Sequence, residues 1–335
     1  STDVAKLAGV SQSAVSRVFT PGAPVSAAMR DKVMRAAATL GYHPNRLAGS
    51  LITHRSHLIG IAIGYLGNFY YPLAMECLCR RLRQAGYHTI MLFTEPGEPA
   101  DTTVESFLQY RVDGVILASV GLTTEWVTAC ERAGVPVILF NRFQSDSRVS
   151  TVSVENLEGS RMVAEFLVKG GHQRITYIAG LPGTTAQDER EAGFRKALVR
   201  LGLPLFDRAV GEFETEPARQ ATRRLFDRPA AERPDAVYAC SDQMALAVMD
   251  VIRFELGLRV PEDVSVVGFD DVPQAAWPSY DLTTIHQTID EIIEATAGVL
   301  FERIERPEAP PRRVHMPVSL VVRGSARLPG GNAPS

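Results

Sequence analysis

Two hydrophobic periodicities divide the chain. At the N-terminus apolar positions recur at helical spacing: Val4, Ala5 and Leu7, then Ala14, Val15 and Val18, then a longer stretch reaching Leu40. Glycine and proline punctuate them. Gly9-Val10-Ser11 separates a first predicted helix, Asp3 to Ala8, from a second, Ser11 to Phe19, and Pro21-Gly22-Ala23-Pro24 closes the second. Ser26 is suited to cap a third helix that stops at Gly41. Pro44, a short segment from Asn45 to Leu51 and a polar linker from Thr53 to His57 follow.

From Leu58 the pattern becomes short apolar runs alternating with amphipathic stretches. Strands are predicted at 58–63 (LIGIAI), 88–93, 114–118, 136–140, 174–180, 236–240 and 264–269, and helices at 72–85, 157–170, 190–201 and 243–256. Strand and helix in alternation predict parallel sheet covered by helices on both faces. The repeats exceed one ordinary sheet, so the expected body is two doubly wound parallel-sheet subdomains with a cleft between them. Loops at the carboxyl ends of the strands face that cleft. The predicted fold is thus an all-α helix-turn-helix head on an α/β body.

Composition narrows the class. The chain is 45% hydrophobic and 22% charged, with no apolar run long enough for a membrane span and no signal-peptide layout, so a cytoplasmic location is expected. Cys77, Cys79, Cys130 and Cys240 are scattered; they predict buried free thiols, with no disulfide framework, metal site or cofactor. Net charge is −3, unpromising for nucleic acid until divided along the chain. Residues 1–57 carry seven cations (Lys6, Arg17, Arg30, Lys32, Arg35, Arg46, Arg55) against Asp3 and Asp31, a surplus of five, which leaves −8 on the remainder. A basic head on an acidic body is what phosphate contact by the head alone requires.

At about 100° per residue, a helix over residues 12–18 puts Gln12, Ser13, Ser16 and Arg17 on one face and Ala14, Val15 and Val18 on the other. A first helix packed on the apolar face gives the helix-turn-helix layout, with the second helix offered to a major groove. Gln12 suits adenine and Arg17 suits guanine. Ser16 and Thr20 suit phosphate, as do the backbone amides at Ser11. By spacing alone, the polar face meets water equally well; local charge and the segment that follows favour DNA.

That segment carries a resemblance. DVAKLAGVSQSAVSRVF (3–19), VSAAMRDKV (25–33) and LGYHPNRLAGSL (40–51) are similar to the head of the lactose-repressor (LacI/GalR) family. The likeness continues through VDGVIL (112–117), GVPVILFNR (134–142), GGHQRITYIAG (170–180), REAGF (190–194), CSDQMALAVMD (240–250), VPEDVSVVGFDD (260–271) and LTTIHQ (282–287). It covers nearly the whole chain.

The resemblance implies a partition: head 1–44, hinge helix and linker 45–57, effector-binding and dimerisation body 58–326 of the type I periplasmic-binding-protein-like kind, and a tail 327–335 expected to be disordered. One subdomain takes about 58–154 and 288–316, the other about 155–287 and 317–326. Ser11, Ser13 and Tyr42 join the DNA-facing set. In the hinge, Asn45 and Ala48 match residues that meet backbone and groove, and Leu51 matches a leucine that wedges between base pairs in the minor groove. A short isolated helix is marginal in water, which makes the hinge a switch that forms only with DNA and partner. Two departures stand out. Gly49 replaces a residue of better helix propensity, weakening the hinge by up to about 1 kcal/mol, and the start at Ser1 implies a trimmed or processed N-terminus.

The resemblance also implies a small effector, a sugar or sugar acid, in the cleft. Phe69, Tyr70 and Tyr71 depart from the usual Asn-Pro-Phe-Phe form but keep aromatic faces. Asn141, Arg190 and Asp270 match polar contacts, Phe213 an aromatic wall, and Asp242 and Gln287 further polar contributors. Each has a plain structural alternative: Arg190 as a helix-start ion pair, Asp270 as a strand-end cap, Phe213 as core. Arg142 either favours an acidic ligand or points to solvent. The implied function is a repressor that binds a pseudo-palindromic duplex as a homodimer, its operator affinity linked to effector binding, with inducer and corepressor both open. A tetramer is not expected, because 328–335 holds no heptad repeat. Enzyme chemistry finds no support: GIAIGYLG (60–67) lacks dinucleotide-fingerprint spacing, and His43, His54 and His57 lie in head and linker. A periplasmic sugar-binding protein shares the body; the head separates the two.

Overall fold

The computed structural model describes residues 1–19, 22–43, 55–64, 66–94, 101–118, 123–142 and 148–330. It falls into two compact units, Ser1–Ser56 and His57–Ser335.

The first unit holds α1 (Thr2–Ala8), α2 (Gln12–Phe19) and α3 (Ala27–Thr39). Gly9 ends α1 in the left-handed conformation (φ 64°) that a residue with a Cβ rarely adopts. Ser11 Oγ accepts the N–H of Ala14 at 3.2 Å and starts α2, and Ser26 caps α3 through Met29. The small core joins Val4, Ala5, Val15, Val18, Val33, Ala36 and Ala37. Leu7, expected on the packed face, is 55% exposed, since it lies beyond the stripe set by Val4 and Ala5.

In the second unit the elements run β1 (Leu58–Ile63), α4 (Tyr70–Gln84), β2 (His88–Phe93), α5 (Asp101–Gln109), β3 (Gly114–Ala118), α6 (Thr124–Arg132), β4 (Val137–Phe140), β5 (Ser150–Val154), α7 (Asn156–Lys169), β6 (Ile175–Ala179), α8 (Thr185–Arg200), β7 (Asp207–Val210), α9 (Thr215–Phe226), β8 (Ala236–Ala239), α10 (Asp242–Asp250), β9 (Ser265–Val267), β10 (Thr284–Gln287), α11 (Ile289–Glu305), β11 (Arg313–Met316) and β12 (Val318–Val321). Past Asp250, α10 loosens into a π-turn, Val251–Glu255.

One sheet has the order β11-β5-β4-β3-β1-β2 and a second β7-β6-β8-β9, every pair parallel; β10 and β12 pair antiparallel. The chain therefore leaves the first sheet after β5, returns to it after β10 and leaves it again after β11. Alternation along β1 explains its burial on both faces. Ile59, Ile61 and Ile63 join the core under α4 and α11, while Ala62 faces the cluster holding Phe107 of α5 and Trp126 of α6. Gly60 leaves room for that phenyl ring, which a Cβ would meet at 2.7 Å.

Two expectations need correction. Arg327 is not tail: its N–H bonds Ser265 Oγ at 2.9 Å and its guanidinium bonds the buried His172 at 2.7 Å, so the folded body runs past 326. Cys77 and Cys79 are half-buried rather than buried, on the flank of α4; Cys130 and Cys240 are buried, and all four are free thiols.

Candidate functional site

Strand order reverses between β1 and β3 in the first sheet and between β6 and β8 in the second, which opens a crevice at the carboxyl ends of those strands. Residues following β4, β7 and β9 there adopt positive φ without being glycine: Asn141 (52°), Glu212 (56°), Phe213 (63°), Asp270 (132°) and Asp271 (57°). Such backbone costs about 1–3 kcal/mol per residue and persists where surrounding structure over-determines it.

Arg190 is 2% exposed. Its Nε donates to Asn156 Oδ1 at 2.8 Å, its Nη1 to the Cys240 carbonyl at 2.5 Å and to Asp270 Oδ1 at 3.4 Å, and its guanidinium lies 3.6 Å above the Phe269 ring. It does not stand at a helix start, as the sequence suggested. The helix begins at Thr185, over a polar stretch whose lack of apolar rhythm hid its first turn. Asp270 also accepts Gln287 Nε2 at 2.6 Å, while the backbone N–H of Asp242 donates to the Phe269 carbonyl at 2.8 Å. Burial raises its carboxyl to about 6 against the downward pull of Arg190.

Asp242, expected to face a ligand, is wholly buried, and its carboxylate is engaged within the chain. Oδ1 accepts Thr284 Oγ1 at 2.5 Å and Oδ2 the Val272 N–H at 2.9 Å. It ties α10 to β10 and to the loop after β9. Burial first, then Asp270, raises it to about 8. Phe213 lies over Gly180, where a Cβ would meet its ring at 2.2 Å, and its carbonyl accepts Gln243.

Across the crevice Tyr70 is buried at the start of α4, and its hydroxyl is pushed well above the usual tyrosine range by burial, with Asp270 and Arg190 near enough to act on it. Tyr71 packs edge-on against it, with ring centroids 5.6 Å apart, and Phe69 is 41% exposed. Three buried polar atoms here lack a hydrogen-bond partner: Tyr70 OH, Asn141 Oδ1 and Gln287 Oε1. Their residues come from three elements, and each belongs to the expected effector set. A buried polar atom left unpaired costs about 1–3 kcal/mol, and two of the three neighbour the same carboxylate: Tyr70 OH is within electrostatic reach of Asp270, and Gln287 is hydrogen-bonded to it.

Sequence reasoning missed two supports. Gln187 Oε1 accepts Tyr177 OH, Gly180 N and Cys240 Sγ; Asn156 joins Arg190 to Glu189, whose Oε2 accepts its amide at 2.9 Å. A groove of about 670 Å³ along α7 and α8 shares Asn156 and Glu189 with the site but excludes Arg190, Asp270 and Gln287. It is a separate surface feature.

Ser11, just before α2, and Gln12, Ser13, Ser16 and Arg17 on it are exposed while Ala14, Val15 and Val18 are buried. Gln12 Nε2 donates to Ser1 Oγ at 2.8 Å, and the Ser11 and Ser13 hydroxyls bond at 2.9 Å. Tyr42 is half-buried against Phe19, with centroids 5.8 Å apart. Thr20, Asn45, Ala48 and Leu51 lie outside the described residues. Among the described residues no group of three His, Cys, Asp or Glu is arranged to hold a metal ion, and no helix is long and apolar enough to cross a membrane.

Residues 2–45 match the family model of bacterial regulatory proteins, lacI family, and residues 164–326 match a periplasmic binding protein-like domain. The ribose operon repressor of Escherichia coli (strain K12) is 34% identical over 328 residues, 97% of this chain and 98% of that protein. Among solved structures, the lac repressor dimer bound to operator and the anti-inducer ONPF has a TM-score of 0.85 at 31% identity, covering 96% of this chain and 97% of that one. The transcriptional regulator CelR in complex with cellobiose has a TM-score of 0.73 at 32% identity, covering 96% and 98%.

Proposed function

The chain belongs to the lacI family of bacterial regulatory proteins, and from that premise we propose that it is a repressor whose hold on a pseudo-palindromic operator is set by a sugar bound at the crevice of its α/β body. The unpartnered polar atoms of Tyr70, Asn141 and Gln287 carry the effector half, the first and last of these residues being neighbours of the Arg190–Asp270 pair. Hydroxyl groups of a sugar supply the missing partners, and the relatives named for ribose and complexed with cellobiose point to the same class.

For the DNA half, α2 presents Gln12 and Arg17 to base edges and Ser11, Ser13 and Ser16 to the backbone, while Tyr42 braces α2 through Phe19. Asn45, Ala48 and Leu51 act in the minor groove, as the family resemblance implies. The protein works as a homodimer, since a palindromic site mirrors two-fold symmetry, in the cytoplasm and without catalysis. Effector binding favours one closure state of the two subdomains and thereby alters the approach of paired hinges; the crevice geometry is compatible with either sign of response.

Selection of bound duplexes from a random pool, with and without a panel of sugars and sugar acids, tests this. A palindrome whose enrichment changes with one compound is expected. No enrichment under any condition sinks the DNA reading, and enrichment indifferent to every compound sinks the effector reading.

A further inference from the structure

Resting on the crevice assignment above, we propose that Asn156 is a positioning residue that ties the Arg190 guanidinium to the first crossing between the sheets, so that effector occupancy and the setting of the two subdomains move together. The crossing is short: β5 ends at Val154 and α7 begins at Asn156. Asn156 is 3% exposed, and both of its polar side-chain atoms are committed to α8. Oδ1 accepts Arg190 Nε at 2.8 Å, and Nδ2 donates to Glu189 Oε2 at 2.9 Å. An asparagine near a helix start ordinarily caps local backbone N–H groups. This one reaches 33 and 34 residues along the chain instead.

The other crossings are knitted to the same place. The Glu155 N–H donates to the Met316 carbonyl at 3.0 Å, which joins the crossing after β5 to the one after β11. Arg190 reaches the crossing after β10 through Asp270 and Gln287. Of its two connections to the crossings, Asn156 is the shorter, 2.8 Å against 3.4 Å to Asp270. A charge-assisted bond closed off from water is among the stronger that a side chain makes, so a shift of the crossing carries the guanidinium with it. By linkage, whatever holds the guanidinium in place also biases the crossing.

Polarity explains why an amide stands here. Arginine only donates and an ionised carboxylate only accepts, so the side chain between Arg190 and Glu189 must offer an acceptor to one and a donor to the other. Asn156→Asp keeps the acceptor but sets a second carboxylate against Glu189; Asn156→Ala keeps neither bond. Asn156→Asp combined with Glu189→Gln moves the donor to the other side of the gap, restores both bonds and leaves the total charge as it was.

The test uses the full chain. Operator affinity is read by fluorescence anisotropy on the palindrome from the selection above, with and without saturating D-ribose, cellobiose, D-galactose, D-gluconate or D-galacturonate, and sugar affinity by calorimetry; the compound to which the parent responds most is carried into the variants. Asn156→Asp and Asn156→Ala are each expected to cut the factor by which that compound changes operator affinity by about threefold or more, and the Asn156→Asp, Glu189→Gln double variant to recover it. A general loss of packing would show no such recovery. Should the changes at 156 prevent folding, Glu189→Ala decides, a lowered factor supporting the inference and a parental one overturning it. A parental factor in both single variants at 156, or no recovery in a double variant that melts with the parent, overturns the inference and leaves the crevice assignment standing. Weaker sugar binding with the factor unchanged also overturns it, by making Asn156 a support of the pocket alone. A parent that binds its operator but responds to none of the five compounds overturns the inference together with the effector reading.

Discussion

Asp242 sits wholly buried at the head of α10, with Asp270 beside it adding to the push of desolvation. Its pH signature follows. A carboxyl raised to about 8 in the folded state and near 3.8 in the unfolded chain binds a proton on folding between those values. Its contribution to stability is therefore present at low pH and lost as pH rises toward about 8. Asp242→Asn retains both bonds, with the amide donating to Thr284 and the carbonyl accepting from Val272. Denaturant titrations should show the variant gaining on the parent between pH 5 and pH 9; a constant difference would mean that Asp242 is ionised throughout. Arg190→Met removes one partner of a buried pair and should lower stability by about 3–5 kcal/mol while abolishing the effector response. Loss of effector response with unchanged stability would place Arg190 outside the buried network. Arg190, Asp270, Asn141 and Gln287 were legible as candidates because each lies in a motif of the resemblance. The engagement of Asp242 within the chain and the part played by Asn156 were not, because their partners lie 30 or more residues away, and Gln187 joins β6 to Cys240, 53 residues on, which no local pattern reports.

At the scale of elements, legibility follows the length of the apolar run. β1, β2 and β3 run over the residues predicted; β1 and β3 are covered on both faces, which leaves an unbroken apolar run, and the edge strand β2 keeps one from Ile90 to Phe93. β5 (STVSV), β7 (DRAV) and β11 (RVHM) interleave polar or charged residues, and β7 and β11 are sheet edges, where charge deters pairing with another chain. They left no such run to read. Between helices the decisive contact is Gly193 of α8 against Leu157 of α7: a Cβ would lie 2.3 Å from the Leu157 carbonyl oxygen, a backbone atom that cannot swing aside. Gly193→Ala should force α7 and α8 apart at a cost of about 1–3 kcal/mol, visible as a lowered denaturation midpoint. An unchanged midpoint would show that the two helices are not held at this spacing. Asn156 and Arg190 sit on the same two helices, so sugar affinity should fall with stability in that variant.

For the molecule as a whole, charge asymmetry governs how it meets DNA. The surplus of five positive charges in residues 1–57 makes binding a counterion-release process. Operator affinity of a dimer should fall by about 10³-fold or more between 50 and 200 mM salt, and Arg17→Ala should cost about 1–3 kcal/mol at one base pair of each half-site. Salt-independent affinity in a filter or fluorescence titration would contradict phosphate contact by the head. The order of the strands has a different kind of consequence. β11 forms the edge of the first sheet beside β5, and β12 pairs with β10, although both are made after residue 312. The edge strand of the first sheet, and the strand that closes on β10, are made only after the preceding 312 residues, so both wait for the rest of the body to be synthesised. Chains cut short before Arg313 lack both strands, so β5 is left as the sheet edge and β10 without its antiparallel partner, although the DNA-reading head precedes the cut.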